Sequence, residues 1–80
     1  MDEELLEYLI GFIDDDPNNY LIEYIENAVQ ITYNEMLTAS KTGKDKEKVF
    51  QRHLNRLLDK FPEIEDPFGF EEAFWNAVEF

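Results

Sequence analysis

Eighty residues make one domain, of a size at which a single core only just offsets chain entropy. Apolar residues at 44% and aromatics at 15% exclude a disordered chain, which needs low hydrophobicity together with high charge. A net charge of −12 disfavours direct binding to nucleic acid or an anionic membrane and favours a basic partner.

The first predicted element is a helix over residues 3–13, where Leu5, Leu6, Leu9, Ile10, Phe12 and Ile13 form a wide apolar stripe. Asp14-Asp15-Asp16-Pro17-Asn18 then breaks the chain, with Asp16 expected as N-cap and Pro17 as first helical residue of the next element. Residues 17–40 read as a second helix, apolar around most of its girth through Leu21, Ile22, Ile25, Ala28, Val29, Tyr33, Met36 and Leu37. Its polar stripe is narrow, with Glu23, Asn27, Gln30 and Asn34 in 4-3-4 steps, so it is expected to be central with neighbours on two sides.

Lys41 to Lys44 form a second break in which Gly43 suits a left-handed C-cap and Asp45 can cap the helix that follows. Residues 45–61 carry the cleanest pattern, with Val49, Phe50, His53, Leu54, Leu57, Leu58 and Phe61 on one face. Pro62, Pro67 and Gly69 interrupt the chain again. Residues 70–79 close it with a short helix built on Phe70, Ala73, Phe74, Ala77 and Val78. No stretch alternates with period two. The expected fold is all-α: one acidic helical domain over residues 1–80, a compact bundle of three long-to-medium helices plus a short C-terminal one.

Charge is segregated along the chain. Residues 1–40 hold ten acids and no Lys or Arg, residues 41–60 hold all seven bases, and residues 61–80 are acidic again. Part of this is expected to be internal pairing, with Lys46, Lys48, Arg52 and Arg56 facing carboxylates of neighbouring helices at about 0–1 kcal/mol each. Pairing every base still leaves an excess of twelve carboxylates, whose mutual repulsion works against so small a fold. Folding does not call for that density, so the surplus points to solubility or to recognition of a cationic surface. Two clusters are the candidates for partner binding. One joins Glu3, Glu4 and Glu7 (with Asp2 beside them) to Asp14, Asp15 and Asp16. The other runs Glu63, Glu65, Asp66, Glu71 and Glu72, with Trp75 as an interface anchor. Trp75 can equally pack against the Pro62–Pro67 loop. Tyr20, Tyr24 and Ile31 line one edge of the second helix, either in a binding face or against the first helix.

Catalytic and metal chemistry lacks its residues. The absence of Cys removes disulfides, thiolate metal sites and thiol nucleophiles. Asp14-x-Asp16-x-Asn18 opens like a calcium loop, but Asn19 stands at the turn glycine, Ile25 at the bidentate Glu, and Pro17 interrupts it. His53 is the only histidine and lies on an apolar stripe, as a boundary residue with one hydrogen bond does. Without Cys or a second His, a zinc site would be nearly all carboxylate. Gly11, Gly43 and Gly69 are isolated, Ser40 is the only serine, and four helices of this length leave little room for a pocket that shifts carboxylate pKa values. No enzyme activity, metal or cofactor is expected.

Lacking the basic region of a signal peptide and any apolar run near 20 residues, the chain reads as cytoplasmic, and its Met1 start as that of a complete small gene product. Short, acidic, cysteine-poor and without catalytic motifs, it resembles in type the phage-encoded anti-defence proteins, anti-CRISPR proteins among them. No motif aligns with a named family. The resemblance implies an inhibitor in the host cytoplasm that occupies a basic, nucleic-acid-binding surface, in the manner of a DNA mimic. An immunity protein or antitoxin against a cationic nuclease rests on the same physics. A homodimeric scaffold, paired along the broad second helix, is the reading from a different class.

Overall fold

The computed structural model describes residues 2–78. Four helices follow one another: α1 (Glu3–Gly11), α2 (Asn19–Lys41), α3 (Lys46–Lys60) and α4 (Pro67–Val78). There is no strand among the described residues. The all-α bundle is therefore as expected, with shifted helix ends. The expected end of the last helix, at residue 79, lies outside the described residues.

The helix starts follow from side-chain chemistry. Asp2, Asn18, Asp45 and Asp66 each turn a side-chain oxygen onto a backbone N–H in the first turn of the helix that follows. The donors are Glu4, Leu21, Glu47 and Gly69, at 2.8–2.9 Å. Each such cap contributes about 1 kcal/mol by satisfying a donor the helix cannot use itself. Two expectations are corrected here. Asn18, not Asp16, caps α2, and Pro17 lies outside the helix. Asp16 instead gives its N–H to Asp14 Oδ1 at 3.0 Å, a local turn that leaves the capping position two residues further on. At the other end, α4 begins at Pro67 rather than at residue 70. Pro67 is the first helical residue, where its missing N–H costs nothing, so the expected break between the last two helices is confined to residues 61–66.

The α2 end is a Schellman arrangement: Gly43 has φ +74°, its N–H reaches Ser40 O, and Lys44 N–H reaches Ala39 O at 2.8 Å. Gly69 has a different reason to be glycine. A Cβ there would collide with the Asp66 carboxylate and lie 2.9 Å from the Phe12 ring, so its small size lets α1 close onto the start of α4.

At 1.5 Å per residue the 23-residue α2 is about 34 Å long, which sets the 39 Å long dimension of the molecule. It packs on α1, α3 and α4, as its apolar girth foretold, while α1 and α3 are not packed on each other. The buried residues of α2, Ile25, Val29, Thr32, Met36 and Ala39, recur in 4-3-4-3 steps. Thr32 was not foreseen in the core; its hydroxyl donates to Ala28 O at 2.6 Å, which satisfies the one polar atom that burial would otherwise penalise. The expected polar stripe of Glu23, Asn27, Gln30 and Asn34 is exposed.

Aromatic rings tie the helices together. Phe12 meets Phe70 edge-on at 6.1 Å, Phe70 stacks towards Phe74 at 6.2 Å, Phe74 stacks on Phe50 at 5.1 Å, and Phe50 meets Trp75 edge-on at 4.8 Å. This chain runs from α1 through α4 to α3, with Phe70 and Phe74 wholly buried. Such ring pairs add about 0.5–1.5 kcal/mol each beyond their burial. No helix among the described residues is long and apolar enough to cross a membrane.

Candidate functional site

The first acidic cluster is gathered by α1, the turn after it, and the start of α2. Glu3 and Glu7 come from α1, Asp14 and Asp15 from the turn, and Glu26 from α2. Together they rim an open groove of about 540 Å³ whose floor is Leu6, Ile10, Pro17 and Ile22. No Lys or Arg lines it. The floor exists because α1 presents the edge of its apolar stripe beside α2, while the polar ends of the same turns carry the acids. Glu4 is exposed but lies outside the groove lining, as does Asp16. Glu26 was missed by sequence reasoning. It follows Ile22 by one helical turn, so the spacing places both on one face, but only the packing of α1 shows that this face carries a site.

The segregation of charge along the sequence is partly undone by packing and persists at α1. The basic helix α3 packs on the acidic α2 and α4 but not on α1. Internal pairing is local: Arg52 Nη2 meets Glu35 Oε2 of α2 at 2.6 Å. Lys60 instead lies over the Tyr24 ring, 4.8 Å from its centroid, and Tyr24 is edge-on to Phe61 at 5.8 Å. Tyr24 therefore packs against the end of α3 rather than the first helix, while Tyr20 and Ile31 are exposed.

His53 is buried, at 7% exposure, and its Nε2 stands 2.7 Å from the same Glu35 Oε2. A carboxylate can only accept, so the His53 ring nitrogen donates. That hydrogen bond is the foremost cause holding the Glu35 carboxyl below its ordinary value of 4.5. Burial opposes it, and the charge of His53 and the contact with Arg52 add to the lowering. A carboxyl whose folded value is depressed contributes stability above its unfolded value and loses it as pH falls through the folded one. Acid titration of the denaturation midpoint should accordingly show a decline below about pH 4.5 that is shallower in Glu35→Gln. Equal slopes would remove this role. The effect is modest because the Glu35 side chain is 43% exposed and screened by water.

The second acidic cluster divides. Glu63 and Glu65 are exposed on the loop between α3 and α4, and Asp66 is engaged as the α4 cap. Glu71, Glu72 and Trp75 line a second groove, of about 410 Å³, together with Glu47, Phe50, Gln51 and Phe68. Trp75 rests edge-on against Phe50 in that groove, its anchor in the fold. The sequence offered a cue for Glu47, which sits three residues before Phe50 on α3. Phe68 carried no such signal, because its neighbours Phe70 and Phe74 are core. Among the described residues no group of three or more His, Cys, Asp or Glu has the geometry to hold a metal ion.

Comparison of the chain with protein-family models, with curated proteins and with solved structures finds no match to any of them.

Proposed function

We propose that this protein is a small acidic binding module that docks its α1–α2 face on a basic, nucleic-acid-binding surface of a protein target and thereby inhibits it. The observation that carries the reading is the groove of five carboxylates over an apolar floor, with no Lys or Arg in its lining. The two parts do different work on a partner. Clustered carboxylates attract and orient a cationic surface over a distance set by the ionic strength. The apolar floor supplies short-range burial, which a charge cluster alone lacks. A polyanion such as DNA offers a nucleic-acid-binding protein the same sign of charge, so the acidic face competes for the same cleft. This is the profile of a phage anti-defence protein, and equally of an immunity protein that caps a cationic nuclease. No catalytic step is assigned to it.

Three helices of the same chain pack on α2 and account for much of its apolar girth, while Tyr20 and Ile31 stay exposed on it.

The test is a pull-down from lysate of the organism's own cells, or of the host cell if the source is a phage, eluted along a salt gradient. The expected result is one basic nucleic-acid-binding protein or nuclease that leaves the resin as salt rises. Added back at equal concentration, the acidic protein should then displace nucleic acid from it. A captured protein that still binds nucleic acid normally would overturn the inhibitor reading.

A further inference from the structure

The α3–α4 groove lies apart from the α1–α2 face and differs from it in kind: its principal exposed surface is aromatic. Phe68 is 84% exposed and Trp75 37% exposed, and both line one groove over Phe50, with Glu47, Glu71 and Glu72 at its edge. An exposed phenylalanine at the first turn of a helix has no folding role of its own, since the core of α4 is made by Phe70, Ala73, Phe74, Ala77 and Val78. We infer that this groove is a second binding site, which takes the side chain of an arginine from a basic segment of a protein partner.

The chemistry selects the occupant. A purely apolar side chain would cover the rings but also strip water from three carboxylates without replacing it. A small free cation would meet the carboxylates and leave the rings uncovered. An arginine satisfies both: its flat guanidinium stacks on aromatic faces and donates to carboxylates, and its methylene stem covers apolar surface. Among the described residues no Lys or Arg lines the groove. The same protein already uses cation–aromatic contact elsewhere, where Lys60 lies over Tyr24. The inference rests on the preceding reading only for the protein that supplies the arginine. The site itself is testable on the isolated domain.

Trp75 is the only tryptophan, so its fluorescence reports on this groove alone. The probe is a short neutral-capped peptide with one arginine, set beside the same peptide carrying lysine or citrulline. The arginine peptide is expected to change Trp75 emission saturably, more tightly than lysine and far more than citrulline. Phe68→Ala should weaken it about tenfold, as loss of an aromatic face for a cation predicts. Glu72→Gln should weaken it less, and Glu23→Gln, an exposed carboxylate outside both grooves, not at all. Phe68 and Glu72 are exposed, so neither change threatens the fold. A response equal for arginine and lysine and indifferent to Phe68→Ala would reveal only general attraction to an acidic protein and would overturn the site. An absent response would overturn it too. Either failure leaves the α1–α2 reading standing, because the pull-down does not depend on this groove; failure of the pull-down likewise leaves the peptide result intact.

Discussion

Leu54→Ala and Phe74→Ala are expected to unfold a large share of the molecules at room temperature. Both side chains are buried, Leu54 at 2% exposure and Phe74 at 0%, and both belong to the single cluster that joins α1, α2, α3 and α4. Truncating a buried Leu costs about 2–5 kcal/mol, and a buried Phe about 3–5, as lost transfer energy plus the cavity left behind. A domain of this length holds about 4–12 kcal/mol in total, by per-residue averages. Uncompensated negative charge takes some of that away. Phe74 carries the greater weight because it lies between Phe50 and Phe70 in the ring chain, so its loss unstacks two pairs at once. Chemical denaturation followed by helical circular dichroism measures both, with Phe68→Ala as a surface control expected to change stability by less than about 0.5 kcal/mol. A cost under about 1 kcal/mol for Phe74→Ala would mean that the core is not built around this ring.

Reversing Glu7, Asp15 and Glu26 to lysine should slow association with the target by tenfold or more, on the order expected for electrostatic steering, and flatten its salt dependence. The three come from three different segments and meet only at the α1–α2 groove. Asp14 is left in place because its carboxylate holds the turn through the Asp16 N–H. Each reversal adds two charges, so the triple change halves the net charge of −12. Self-repulsion falls with it, and the variant should be at least as stable as the parent. Net charge alone is controlled by reversing Glu23, Glu63 and Glu65, exposed carboxylates outside the groove. Stopped-flow rates that fall equally in both variants would show that the target senses total charge and not this face.

Salt gives an inexpensive companion to that experiment. Carboxylates at the α1–α2 rim repel one another within a Debye length of about 10 Å at 0.1 M ionic strength. Screening relaxes that repulsion in the free protein while weakening attraction to a basic partner, so the two effects of added salt run in opposite directions and can be read separately.

Much of the fold was legible in the chain because helices announce themselves locally. Apolar residues at helical spacing mark the faces of α1 and α3, Gly43 marks the end of α2, and Asp45 marks the start of α3. The errors fell at breaks where several cap candidates compete. Among Asp14, Asp15, Asp16 and Asn18 the sequence cannot rank one carboxylate or amide over another, because the choice depends on how the chain turns before the helix. At Pro62–Gly69 the two prolines look alike in sequence, yet Pro62 follows the end of α3 and Pro67 begins α4. His53 was placed correctly on a buried boundary with one hydrogen bond, since a lone polar residue within an apolar stripe has few alternatives.

The candidate sites were legible only as ingredients. The acids of residues 3–16 stand out by composition, but Glu26 enters their groove only through the packing of α1 beside α2, and Asp66 of the second cluster is taken up as the α4 cap. By itself the sequence determined an all-α fold, an excess of negative charge and the order in which charge changes sign, because composition and helical period are local properties of the chain. Only the tertiary structure decided that the basic α3 packs on α2 and α4 and not on α1, so that Glu35 of α2 pairs with Arg52 while no Lys or Arg lines the groove beside α1. That outcome rests on which apolar faces fit together. Packing is a sum over residues distant in sequence, and it is settled by side-chain shape at close range rather than by the pattern along any one helix.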